Sequence, residues 1–413
     1  MEESSVLPRP FVARFLPWWL GAAFLVLYLA TLHPWIGINN AGLVGQLGGW
    51  DPDRAYTEPL LWLLTRPLRM LPAPAFPVAM NVLAAVLASL SLALLARSVA
   101  LLPHDRMREQ RIRGHADNPL LHTRMAWVPV VFAAGLLGLQ RTFWENATLQ
   151  TGEMLDLLLF ASVVAALVEY RLDLRERWLW MAALGVGAGI SNNWAMIGFA
   201  PVFLVAVIWL RGWSFFDAGF LIRMALFGVA GLACYLLLPL AAAVSDTTGL
   251  GFMPTLKANL TLQKAFLLGV PRGRGLLLGL VSVLPLGLVA IRWEGSKGSS
   301  LERLAGLAAI ILLQVMWYVL AIYMAFDPPF SPRRLMYLDR SAGELAMLTF
   351  SFSSALAAGY FAGWFLLVGG TDPEKEWEQS NAALKLTGRV AAGVALVAGV
   401  AIPMVLALSL IHI

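Results

Sequence analysis

The sequence predicts an all-α protein, a polytopic bundle of about eleven transmembrane helices. Three observations predict it. Hydrophobic residues fill 59% of 413 positions and charged ones only 13%, against roughly 25% charged in an ordinary soluble domain. The apolar residues are gathered into long runs. Most Lys and Arg residues sit in the short loops between those runs.

Crossing the hydrocarbon core as helix takes about 17 to 25 predominantly apolar residues. Runs of that kind, some at the short end, lie at 15–33, 76–101, 126–143, 153–168, 178–191, 195–210, 219–244, 275–291, 304–326, 345–368 and 390–410. The first follows Arg9 and Arg14 and meets Pro34-Trp35 rather than a small-residue cleavage site, so it reads as an uncleaved signal anchor. The fifth and sixth are short and are split by Ser191-Asn192-Asn193-Trp194, forming either a tight hairpin or a re-entrant pair.

With the N-terminus cytoplasmic, the loop after the second run is internal. It holds Arg106, Arg108, Arg111, Arg113 and Arg124, and inside loops carry the larger share of the basic residues, as the positive-inside rule requires. The net charge of +5 is thus explained by topology, and no nucleic-acid partner is implied. His104, His115 and His122 fall in the same loop and read as solvated surface. Cys234, the single cysteine, excludes an internal disulfide framework and a cysteine metal site. No fixed-period repeat or long linker divides the chain, so residues 1–407 read as one membrane-embedded domain. The last six residues, 408–413, can be encoded by CTG TCT CTT ATA CAC ATC, a transposon-end sequencing adapter. They are expected to be foreign, with the native C-terminal region missing.

Candidate chemistry collects in the loops placed outside. The first, from Pro34 to Ala75, contains Asn39, Asn40, Asp51, Asp53, Arg54 and Glu58. Acids two apart can bind a divalent cation or accept a proton from a substrate hydroxyl; a turn or a cap is the commoner use of Asp beside Pro, as in Asp51-Pro52-Asp53. Glu153 and Asp156, three apart at the start of the fourth run, share a helix face. Ionisable groups at membrane depth are costly and functional by default, though Thr151 followed by first-turn acids also fits a simple cap. Arg333, Arg334 and Arg340 suit a lipid phosphate through bidentate guanidinium contacts, or lipid head groups without specificity. Walker, dinucleotide-binding, nucleophile-elbow and paired-histidine signatures are missing from the sequence.

From about Asn39 to Trp209 the chain resembles the bacterial membrane-protein family related to protein O-mannosyltransferases, in the glycosyltransferase C superfamily. The resemblance rests on the acidic first outside loop leading into Pro59-Leu60 and on Met80-Asn81-Val82-Leu83. It also rests on Phe143-Trp144-Glu145 with Glu153, and on Gly187-Ala188-Gly189-Ile190-Ser191-Asn192-Asn193-Trp194-Ala195-Met196. It implies a glycosyltransferase C-like bundle in the bacterial inner membrane. Such an enzyme moves a sugar, with inversion, from a polyprenyl-phosphate donor to a protein or glycan acceptor on the outer face. Where the family has Asp-x-Gly-Glu, this chain reads Asn40-Ala41-Gly42-Leu43, and Asn193 stands where the family has a His. The catalytic expectation therefore falls on Asp51 as preferred base, with Asp53, Glu58 and Glu153 as the other candidate acids. Asn40, Asp156, Asn192, Asn193, Arg333, Arg334 and Arg340 are expected to bind substrate, and a divalent cation is compatible with the acids. The alternatives are a non-catalytic membrane scaffold or lipid-binding subunit that keeps the fold and, third, a transporter. The polar groups crowd the outer ends rather than the midplane a transporter uses.

Overall fold

In a computed structural model, the described residues are 11–50, 58–106, 126–244, 251–269 and 340–360. Among them every regular element is helical. After a single turn at Phe11–Arg14 come α1 (Leu16–Ala30), α2 (Ala41–Gly48), α3 (Pro59–Thr65), α4 (Ala75–Arg106), α5 (Val128–Gly138) and α6 (Arg141–Thr148). Then follow α7 (Glu153–Asp173), α8 (Arg177–Asn192), α9 (Ala200–Arg211), α10 (Ala218–Leu232), α11 (Leu237–Val244), α12 (Phe252–Gly269) and α13 (Arg340–Ala358).

The core is built round α4. It packs against α1, α5, α6 and α7, and α7 in turn packs against α8 and α13. Leu92, Leu95, Ala96 and Val99 of α4 and Leu157, Phe160 and Ala161 of α7 are completely buried. Phe160 meets Phe352 of α13 edge-on at 5.8 Å, a favoured ring geometry. Across α5, Tyr28 donates its hydroxyl to Gly138 O at 2.8 Å. A Cβ on Gly138 would sit 2.5 Å from the Phe24 ring, so any larger residue would have to displace that ring from the crossing.

Among the described residues two helical stretches are long and apolar enough to cross a membrane, Ala75–Leu102 and Ala218–Val244. A third is added if α6 and α7, bent by 115° at their junction, count as one span. The two straight spans are used differently: 61% of the first is buried within the protein but only 17% of the second, which presents Ile222, Leu226 and Val229 outward. That exposure suits a lipid-facing helix. The 15-residue α1 reaches only about 22 Å at 1.5 Å per residue, short of a 30 Å core.

Several run boundaries differ from the sequence reading, for local reasons. The 126–143 run ends as α5 at Gly138, because extended backbone at Gln140 redirects the chain into α6. The 195–210 run opens with a 3-10 turn, Trp194–Gly198, before α9. The loop from Pro34 to Ala75 contains α2 and α3, and the stretch at 252–269 forms α12. Helix α8 packs along α7 and α10 rather than along α9. Gly187 and Gly231 form the α8–α10 crossing, where an added Cβ would collide with Gly228 O and Leu184 O respectively. The runs at 275–291, 304–326 and 390–410, residues 408–413 and most of the basic loop lie outside the described residues.

Candidate functional site

The polar residues of α1, α3, α4, α7 and α8 meet at one end of the bundle. Their assembly starts with Asn81, near the start of α4. Its Nδ2 donates to His33 O at 2.9 Å and Trp35 O at 3.1 Å, and its Oδ1 accepts the Gln150 N–H at 3.0 Å. One buried amide thereby ties the exit of α1 to the α6–α7 junction, which the His33 N–H bond to Thr148 O at 3.2 Å closes from the other side. Unpaired buried backbone groups are costly, so these bonds define where the loop chain must run.

The second tie is made by Asn192. Its Oδ1 accepts the backbone N–H groups of Leu60 at 3.1 Å and Leu61 at 3.3 Å, at the first turn of α3. Those donors are left over by any helix N-terminus and are normally satisfied by the residue just before it. Here a side chain 132 residues further on does so. Glu58, in the capping position, makes no such bond. Its carboxylate instead lies over Gly152: a Cβ there would be 2.8 Å from Glu58 Oε2 and 3.2 Å from Oε1. Gly152 has φ +94°, a backbone conformation that favours glycine, and a Cβ there would have to displace the Glu58 carboxylate.

Asp156, one turn into α7, is gripped by two amides. Its Oδ1 accepts from Asn192 Nδ2 and its Oδ2 from Asn193 Nδ2, each at 2.7 Å. Asn193 Oδ1 accepts the Ala195 N–H at 3.0 Å and so caps the 3-10 turn that follows. Every amide end of Asn192 is thus engaged with Asp156 and α3.

Glu58 differs from Asp156 in having an oxygen, Oε2, that is buried and without a hydrogen-bond partner among the described residues. Burial, reinforced by the neighbouring Asp156 charge, pushes the Glu58 carboxyl from 4.5 up to about 8. Glu58 lies in the connection between α2 and α3 and carries a carboxyl suited to exchanging a proton near neutral pH.

The structure brings together Glu58, Asp156, Asn192 and Asn193, and it places the buried Glu153 next to Gly152. Asn40 lies at the same end, its Oδ1 accepting the Gly37 N–H at 2.9 Å. Asp51, Asp53, Arg333 and Arg334 lie outside the described residues, and Arg340 opens α13. Thr151 does not cap α7 as a simple cap would have it: Gly152 holds that position, and the Thr151 hydroxyl donates to Asn146 Oδ1. Among the described residues no three His, Cys, Asp or Glu side chains gather as a metal would need. Sequence reading missed Asn81 as a framework residue, Gly152 and Gln150. A glycine followed by two acids was the visible signal for Gly152.

Residues 57–214 match the family model described as the Protein O-mannosyl-transferase TMEM260 N-terminal domain. Over this segment the chain is similar to a protein O-mannosyltransferase family. The matched segment runs from the residue before Glu58 to just past α9, so it contains Glu58, Gly152, Asp156, Asn192 and Asn193 together. Asn40 and the arginines at 333–340 fall outside it. No curated protein and no solved structure matches the chain. The match supports an O-mannosyltransferase-related glycosyltransferase, and with the apolar helices a membrane protein.

Proposed function

We propose that this protein transfers a sugar from a polyprenyl-phosphate donor to a protein or glycan acceptor on the outer face of the membrane, with Glu58 as general base. The observation that carries the reading is the buried Glu58 Oε2, without a partner among the described residues and beside Asp156, inside the segment that matches the O-mannosyltransferase family model. In this scheme the ionised Glu58 takes the proton of an acceptor hydroxyl as that oxygen attacks the sugar C1. The bond from C1 to the donor phosphate breaks, the configuration inverts, and polyprenyl phosphate leaves with the electron pair. Arg333, Arg334 and Arg340 are the groups proposed to stabilise the departing phosphate. Asp156 acts through Glu58, its negative charge favouring the proton on the neighbouring carboxyl. The scheme assumes the eleven-helix, glycosyltransferase C-like bundle with a cytoplasmic N-terminus in a bacterial inner membrane, and it routes no step through a metal.

Membranes carrying the full chain, supplied with radiolabelled polyprenyl-phosphate mannose, test the assignment. Glu58→Gln is expected to lower transfer by about 10²–10⁴-fold, the usual worth of a general base. Asp51→Asn run in parallel separates the two acids. Unchanged turnover in Glu58→Gln with a loss in Asp51→Asn returns the base role to Asp51.

A further inference from the structure

Two amides at this end of the bundle have polar atoms without a hydrogen-bond partner among the described residues. Gln150 is fully buried, and neither its Oε1 nor its Nε2 has a hydrogen-bond partner among the described residues. Asn40 is 1% exposed; its Oδ1 is engaged with Gly37, but its Nδ2 is likewise without a partner. Natural folds pair buried polar groups almost without exception, and a group left over calls for an explanation such as a ligand. The two amides flank one loop: a Cβ on Gly37 would lie 3.0 Å from Leu149, the neighbour of Gln150, and 3.8 Å from Asn40 Oδ1. Both are held there by backbone ties, Gln150 through its N–H to Asn81 and Asn40 through Gly37. Gln150 is two residues from the glycine on which the Glu58 carboxylate rests.

We infer that Gln150 and Asn40 form a neutral polyol subsite that binds the hydroxyls of a hexose beside Glu58. The chemistry selects the ligand. Gln150 supplies one acceptor and two donors and Asn40 at least one donor, with no formal charge. That set matches sugar hydroxyls, each both donor and acceptor, and leaves the phosphate to cationic groups elsewhere. This inference rests on the glycosyltransferase reading for the role of the sugar, but binding can be measured without turnover.

The test is thermal unfolding of the full chain in detergent, with methyl α-D-mannopyranoside and, separately, sugar-free polyprenyl phosphate. The mannoside is expected to raise the melting temperature of the wild type. Gln150→Met, similar in length and apolar, and Asn40→Asp, which keeps the oxygen and loses the donor, each weaken that binding about tenfold. The response to polyprenyl phosphate stays unchanged in both. Without ligand, Gln150→Met melts at or above the wild-type temperature, because no internal bond is lost. A lower melting temperature for ligand-free Gln150→Met would show that the amide serves the fold. That result, or an unaltered mannoside response in both variants, or no response in the wild type, overturns the inference. Mannoside binding lost in the variants while wild-type membranes show no transfer leaves the subsite standing and removes the transferase reading.

Discussion

Glu58 shows how a side chain becomes available for chemistry by being relieved of a structural task. Had it capped α3, its oxygens would be committed to backbone N–H groups; Asn192 takes that place instead. The raised carboxyl has a signed consequence for pH. Between about 4.5 and 8 the unfolded chain has lost the Glu58 proton and the folded chain keeps it, so the native state binds more protons. Its contribution to stability is therefore present in full below 4.5 and is lost as pH rises through about 8. Glu58→Gln is expected to remove that slope, its melting temperature gaining on the wild type as pH climbs from 4.5 to 8. Parallel melting curves at all pH values would contradict the buried, protonated carboxyl. In the wild type, transfer rises with pH through about 8, since only the ionised form can accept the acceptor's proton.

At the level of helices, the Asp156–Asn192–α3 chain of bonds couples α7, α8 and α3. Asn192→Ala removes an N-terminal cap worth about 1 kcal/mol and a hydrogen bond to a carboxylate worth about 1.5–3 kcal/mol. A loss of roughly 2–4 kcal/mol is expected in reversible unfolding, and Glu58 should lose its register over Gly152. A second element-scale prediction concerns the α8–α10 crossing. Gly231→Leu pushes a side chain into Leu184 O, so a loss of about 1–3 kcal/mol or more follows from overpacking alone, with no polar bond touched. The helices themselves were readable from apolar runs, and α4, α7 and α8 begin and end within a few residues of the spans 76–101, 153–168 and 178–191. What periodicity does not encode is which residue satisfies whose backbone. Asn192 and Asn193 look like a polar break along the chain; only the tertiary path shows them as donors to Asp156. Gln150, one polar residue in a loop, carried no signal until burial left its amide without a partner among the described residues.

For the molecule as a whole, charge is segregated between two ends. The amide and carboxyl network lies at one; at the other, Arg97 donates to Glu169 at 2.7 Å, and Arg211 pairs with Glu176 at 2.7 Å. Cysteine labelling tests which end faces outward. In a Cys234→Ala background, Ile38→Cys at a 99% exposed position should react with an impermeant maleimide in intact cells, and Arg175→Cys only after permeabilisation. The reverse pattern would invert the topology and put the proposed acceptor in the cytoplasm.

The grip on Asp156 also has a consequence in time. Its two amide partners lie 36 and 37 residues further along the chain. At a synthesis rate of about 5–20 residues per second, the carboxylate waits roughly 2–7 s for them. A carboxylate in the first turn of a nascent apolar segment is penalised if it is drawn into the bilayer before its partners arrive. Helices α7 and α8 are therefore expected to leave the insertion machinery as a pair, so that the polar break at 191–194 sets the order in which the ribosome's product can enter the membrane.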